Sequence, residues 1–139
     1  MNIHCLLPIF LMMHLSSGYA EEPPQLTEKL RQNSQEHLKV EVLHVEQQDF
    51  SRKESVEIYV KARLKILAVR RSSNALKYNY QINLNYLHSY TQREGGTLGS
   101  ESSILPIVKT GQIFTVFLNR IKGMTNTYKP AAMSGSFQF

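Results

Sequence analysis

The chain has 139 residues, of which 42% are hydrophobic, and its 16 lysines and arginines against 11 acids give a net charge of +5. This length fits one domain with a single modest core. Cys5 is the only cysteine and Asp49 the only aspartate, which excludes an internal disulfide and argues against most aspartate-dependent hydrolase and metal sites.

The first 20 residues have the pattern of a cleaved signal peptide. Ile3–Leu15 is apolar and uncharged, and the small residues Gly18 and Ala20 suit cleavage after Ala20. The apolar run is shorter than the roughly 20 residues that span a bilayer. Cys5 lies too early for lipid attachment and leaves with the leader. A buried N-terminal helix is disfavoured by the charged, proline-rich exit. We therefore expect a periplasmic protein without a stable membrane anchor.

The segment that follows, 21–37, is polar and contains two prolines, so it is interpreted as a tether. A short helix within it is expected to begin at Thr27, which can act as an N-cap. The predicted domain then occupies 38–139. Its first strand is Leu38–Val42, where apolar and polar residues alternate, and Gln47–Lys53 is expected to form a polar turn.

The clearest strand signal is Val56–Val69, which alternates with a period of two and is rich in β-branched residues. One face is apolar from Val56 to Ala68, and the other carries Lys61 and Arg63. Because two apolar residues after Ile66 occupy the second face, the pattern predicts a bend or bulge near that residue.

Further alternating segments suggest a barrel. Tyr78–Tyr90 places four tyrosines, Ile82, Leu84 and His88 on one face, and a glycine-containing loop follows at Thr91–Ser103. The remaining predictions are strands at Ile104–Val108 and Gln112–Asn119, a loop at Ile121–Thr127 and a closing strand at Phe137–Phe139. Five or six strands without a long helical pattern predict an all-β fold, a small closed OB-like barrel, with a β-sandwich as the alternative.

Charge is distributed unevenly along the chain. Residues 21–57 hold nine acids and five bases, a net of −4, whereas residues 61–139 hold eleven bases and two acids, a net of +9. The two halves are expected to neutralise one another within the barrel. The alternative is that the basic half attracts an acidic partner. In that case the candidate partner-binding residues are Lys61, Arg63, Arg70 and Arg71.

No catalytic or metal-binding motif is present in the sequence beyond the leader. His37, His44 and His88 lack the spacing of a local metal site. Glu94 and Glu101 are the only acids of the basic half, and the sequence places both in a solvated loop rather than in a catalytic pair. The prediction is a protein that is not an enzyme, with no metal and no cofactor.

Tyrosines beside bases suggest a second kind of ligand, since OB barrels bind single-stranded nucleic acid by stacking bases on aromatic rings in a basic groove. However, the tyrosines of Tyr78–Tyr90 alternate with Ile82 and Leu84, so most of these rings are expected to pack in the core. An exported protein also meets little nucleic acid. Nucleic acid is therefore not expected as a partner.

Three segments, Val60–Val69, Gly111–Asn119 and Tyr128–Phe137, resemble small exported bacterial proteins whose OB barrel is similar to that of the tissue inhibitors of metalloproteinases. The resemblance covers about 80 residues as a pattern of strands and turns. Inhibitory members have a cysteine at the mature N-terminus, where this chain has Glu21. Protease inhibition is therefore not implied.

Within this group the size, leader and domain resemble the MauL-type accessory proteins of methylamine utilisation. This resemblance implies a periplasmic role beside methylamine dehydrogenase, in forming its tryptophan tryptophylquinone cofactor. The expected function is that of a non-enzymatic accessory protein that binds a periplasmic client, either methylamine dehydrogenase or one of its maturation factors. The alternative is an exported ligand- or anion-binding barrel.

Overall fold

The computed structural model describes residues 24–93, 96–98 and 104–139, and the predicted signal peptide lies outside these ranges. Within them the chain forms one helix and seven strands. These are α1 (Pro24–Gln32), β1 (Glu36–Asp49), β2 (Ser55–Ser72), β3 (Gln81–Arg93), β4 (Gly96–Leu98), β5 (Ile113–Arg120), β6 (Thr127–Pro130) and β7 (Phe137–Gln138). No helix in the described ranges is long and apolar enough to cross a membrane.

Five of the strands close into a barrel. β1 pairs antiparallel with β2, β2 with β3, and β5 with both β6 and β1. A parallel pairing of β3 with β6 completes the ring. β4 pairs with β3, and β7 with β5, outside the ring. The prediction of a small all-β barrel is confirmed, because five hydrogen-bonded strands form a closed ring.

The core lies inside this ring, as the alternation of β2 predicts. Val60, Ala62, Leu64 and Ile66 are buried, whereas Lys61 and Arg63 are exposed. Other strands contribute to the same cluster, principally through Leu38, Val40, Val42, Ile82, Leu84, Tyr86, Phe114, Val116, Leu118, Tyr128 and Phe137.

Irregular pairing bends the long strands around the barrel. The register between β1 and β2 passes from Lys39 opposite Ala68 to Val40 opposite Ile66, leaving Leu67 without a partner. The predicted bulge near Ile66 is thereby confirmed, and such a residue increases the local twist that a small barrel needs.

The segment 21–37 differs from the predicted tether over its described part. Pro24 begins α1, three residues before the predicted start, because a proline suits the first turn of a helix. Glu36 begins β1 and is fully buried. Its Oε2 accepts hydrogen bonds from the backbone nitrogens of Ser73 (3.2 Å) and Asn74 (3.1 Å), so the segment is fixed to the barrel.

The predicted strand over Tyr78–Tyr90 starts later than expected. Asn79 has a left-handed φ of 74° and interrupts the extended chain before Gln81. Tyr78 and Tyr80 are consequently exposed, and of the tyrosines in this segment only Tyr86 is buried. The prediction that most of these rings pack in the core is wrong.

Three further predictions about strands were wrong: one strand end, one predicted strand and one strand that was not predicted. β1 continues to Asp49, where a polar turn was expected. Residues 104–108 are not a strand: Pro106 lacks the N–H that a ladder needs, and its carbonyl accepts a hydrogen bond from the Tyr86 hydroxyl (2.6 Å). β6 was not predicted, because four residues ending in proline show no alternation.

Candidate functional site

Two rows of polar residues cross the outer face of β1, β2 and β3. In the first row His44 lies opposite Arg63, which lies opposite Asn83. The second row consists of Glu46, Lys61 and Asn85 in the same order. Because residues two apart on a strand share a face, the rows are neighbours. The structure therefore brings two of the four predicted binding residues, Lys61 and Arg63, together.

A groove of about 420 Å³, called here the outer groove, lies over these rows. Asn126 lies in the chain between the lining residues Met124 and Thr127; its Nδ2 donates to the Gln81 carbonyl (2.8 Å), and its own carbonyl accepts from Asn83 N (3.0 Å). These bonds hold the loop between β5 and β6 against β3. The groove is lined by His44, Glu46, Lys61, Ala62, Arg63, Asn83, Asn85, Met124 and Thr127.

The polar groups of the outer groove are largely unengaged. The side chains of Lys61, Arg63, Asn83 and Asn85 make no hydrogen bond or ion pair with another residue of the described ranges. Lys61 Nζ lies 5.7 Å from the centroid of the Tyr59 ring. Asn85 is only 8% exposed as a residue, but its amide atoms are not among the fully buried side-chain atoms of the described ranges that lack a partner, so they stay open to the groove. The groove thus presents donors that a ligand can satisfy.

A second groove of about 410 Å³ adjoins the first and shares Glu46 and Lys61 with it. Gln47, Gln48 and Tyr59 complete its lining. Both grooves therefore lie on the outer face of β1 and β2, on either side of Glu46 and Lys61.

The other two predicted binding residues lie elsewhere. Arg70 and Arg71 follow Arg63 by seven and eight residues on β2, which places them about 23 Å or more along the strand. Arg71 Nη2 donates to the carbonyls of Arg31 (2.8 Å) and Ser34 (2.9 Å) and to Ser34 Oγ (2.6 Å). Arg71 therefore holds α1 on the barrel, and partner binding by Arg70 and Arg71 stays a prediction.

Arg70 and Arg71 also surround His37. Its ring stacks on Phe117 with centroids 4.1 Å apart. Burial, followed by the positive charges of Arg71 and Arg70, lowers the pKa of His37. The guanidinium carbon of Arg31 lies over the Phe117 ring, 5.6 Å from its centroid. This end of the barrel is consequently cationic; Arg31 and Arg71 make contacts within the chain, whereas Arg70 is exposed.

Within the described ranges the acidic and basic halves form no ion pair with one another, contrary to expectation. In the described part of the chain the contacts of this kind within 4.0 Å are the ion pair Arg31–Glu28 (3.7 Å) and the contact of His44 Nε2 with Glu46 Oε1 (3.9 Å), which is an ion pair only with a protonated imidazole. Both lie inside the acidic half. The exposed bases of β2 therefore remain available to an acidic partner.

Residues considered for metal binding or catalysis are dispersed. Among the described residues no group of three or more His, Cys, Asp or Glu is placed to hold a metal. Hydrogen bonds from the Ser51 side chain and backbone lower the pKa of Asp49, which is fully exposed. His88 Nδ1 contacts the Leu105 carbonyl. Glu94 and Glu101 lie outside the described residues.

The sequence pattern did not single out Asn83, Asn85 or Met124 as site residues. The two asparagines are two residues apart on β3, so alternation places both on the outer face. Only the register of β2 with β3 sets them beside Lys61 and Arg63. Met124 reaches the groove through the chain reversal between β5 and β6. No protein-family model, curated protein or solved structure matches this chain.

Proposed function

We propose that this chain is a non-enzymatic, exported accessory protein that binds an acidic segment of a periplasmic client protein in the outer groove. The observation that carries this proposal is the set of four unengaged side chains, Lys61, Arg63, Asn83 and Asn85, in one groove. Cations and amide donors together recognise carboxylates.

The specific form of the proposal comes from the resemblance of Val60–Val69, Gly111–Asn119 and Tyr128–Phe137 to methylamine-utilisation accessory proteins. In this form the client is methylamine dehydrogenase or one of its maturation factors. Binding would assist the formation of the tryptophan tryptophylquinone cofactor, while the covalent chemistry belongs to other proteins.

The test is a pull-down of the tagged, exported protein from methylamine-grown cells, with bound proteins identified by mass. Wild-type protein is expected to recover an acidic client, and the double variant Lys61→Ala/Arg63→Ala is expected to lose it. The control is Lys77→Ala/Lys109→Ala, which removes equal charge from exposed positions outside the groove. Equal recovery by the groove variant would contradict the proposal.

A second candidate function uses the same groove: an exported barrel that binds a small anionic ligand. The unpartnered Asn85 favours it, because a small carboxylate can reach a side chain that is only 8% exposed. Loss of client recovery on adding a millimolar dicarboxylate, without loss of folding, would favour this candidate. A client that resists such competition favours the first.

A further inference from the structure

We propose that the outer groove preferentially binds an extended peptide segment in which two acidic residues are separated by one residue. This specificity rests on the proposed function and defines the partner more narrowly. The peptide lies along β2 and directs its two carboxylates at Lys61 and Arg63, while the residue between them points away from the barrel.

The spacing of the two cations carries this proposal. Lys61 and Arg63 are two residues apart on the exposed face of β2, so their Cα atoms are about 6.6–7 Å apart. Alternate side chains of any extended peptide repeat with the same spacing. Acids at positions i and i+2 therefore meet both cations at once. Adjacent acids point to opposite faces, and acids at i and i+3 also differ in face.

Each cation is matched by a carboxamide on the neighbouring strand. Lys61 lies opposite Asn85, and Arg63 lies opposite Asn83. A carboxylate has two oxygens, so it can accept from the cation and from the amide N–H₂ together. Arg63 presents a planar fork to its carboxylate, whereas Lys61 acts as a compact charge. Arg63 is consequently expected to contribute more to affinity.

Glu46 orients the peptide across the groove. It lies opposite Lys61 on β1, and its Oε1 is 3.9 Å from His44 Nε2. Its negative charge repels a carboxylate from the β1 side, so the acids are directed towards Asn83 and Asn85 on β3. Met124, 42% exposed at the groove wall, offers an adaptable apolar contact to a flanking peptide residue.

Fluorescence anisotropy with labelled short peptides of constant composition tests the spacing. The peptides carry two glutamates at i,i+1, at i,i+2 or at i,i+3, with threonine and valine elsewhere. The i,i+2 peptide is expected to bind about tenfold tighter than either of the others, the difference that one lost charge-assisted contact makes. Equal affinity for all three peptides would overturn the proposed register.

A double-mutant cycle tests whether two carboxylates meet the two cations at once. Lys61→Ala and Arg63→Ala are each expected to weaken the i,i+2 peptide several-fold. A peptide with a single glutamate can meet either cation and is expected to lose less in both variants. Lys77→Ala is expected to bind all peptides like wild type. Equal losses for the two-acid and one-acid peptides in both variants would overturn the pairing. Tighter binding of an inorganic polyphosphate than of any peptide would replace the peptide as the occupant.

Failure of the spacing rule and failure of the proposed function are distinguishable. If the pull-down depends on Lys61 and Arg63 but the peptides bind irrespective of spacing, only the i,i+2 rule is wrong. If client recovery is independent of both residues, the groove is not the client site, whatever the peptides do.

Discussion

Replacing Arg71 by alanine is expected to make α1 detach from the barrel more often, without affecting the outer groove. Arg71 Nη2 makes three hydrogen bonds, to Arg31 O, Ser34 O and Ser34 Oγ, at 2.6–2.9 Å. The helix itself has no fully buried side chain among those described, and Leu26 is 44% exposed. Polar contacts, rather than apolar packing, therefore hold this helix in place.

The free energy that Arg71 contributes to holding α1 on the barrel follows from the number of hydrogens that Nη2 can donate. Hydrogen bonds to a charged group contribute about 1.5–3 kcal/mol each, but Nη2 has only two hydrogens to share among three acceptors. Water can also reach the Arg31 carbonyl once the guanidinium is gone. We therefore expect a net loss of about 1–2 kcal/mol, which corresponds to a factor of about 5–30 in the opening equilibrium of α1.

Amide hydrogen exchange measures this opening directly. The Asn33 amide donates to the Lys29 carbonyl (3.0 Å) at the end of α1, and its protection is expected to fall about 5–30-fold in Arg71→Ala. Amides in the middle of β2 should keep their protection. Arg70→Ala is the matched control, because Arg70 is exposed and makes no hydrogen bond within the described ranges. Equal protection of Asn33 in both variants would refute the reasoning.

The remaining predictions concern the core and two titrating groups. Leu64→Ala, at a fully buried position, is expected to cost about 2–5 kcal/mol in urea unfolding, and Lys65→Ala less than about 0.5 kcal/mol. Burial raises the pKa of Tyr86 to about 12, so stability should fall as pH rises from 10 towards 12, and this slope should be reduced in Tyr86→Phe. The lowered pKa of His37 means that stability falls as pH drops below 6.5 through that pKa; Arg71→Ala should raise this pKa in an NMR titration.

Periodicity in the sequence predicted the barrel well where one strand spans the whole core. β2 has a strict two-residue repeat, so its buried face, its exposed lysine and arginine, and the bulge beside Ile66 could all be read from the chain. Periodicity did not predict the short strands. β6 is four residues long, too short for a clear alternation, and it is a strand because it pairs with β3 and β5, which are distant in sequence.

The candidate site was predicted only in part, for a related reason. The exposure of Lys61 and Arg63 follows from the alternation of side chains along β2. The same alternation does not predict that the Arg71 side chain contacts α1. The contacts of Arg71 are 37 and 40 residues away in the chain. Likewise, Asn83 and Asn85 become groove residues only through the register of two strands. Sequence reasoning therefore found the charges of the site and missed its amides.

Site-specific photocrosslinking in methylamine-grown cells tests the central claim most directly. A photoreactive residue replaces either Met124, at the wall of the outer groove, or Tyr78, which is 67% exposed and lies outside it. One crosslinked client is expected from position 124, lost when Arg63→Ala is added, and no such product is expected from position 78. A client captured from position 78 and not from position 124 would contradict the assignment of the outer groove as the binding site.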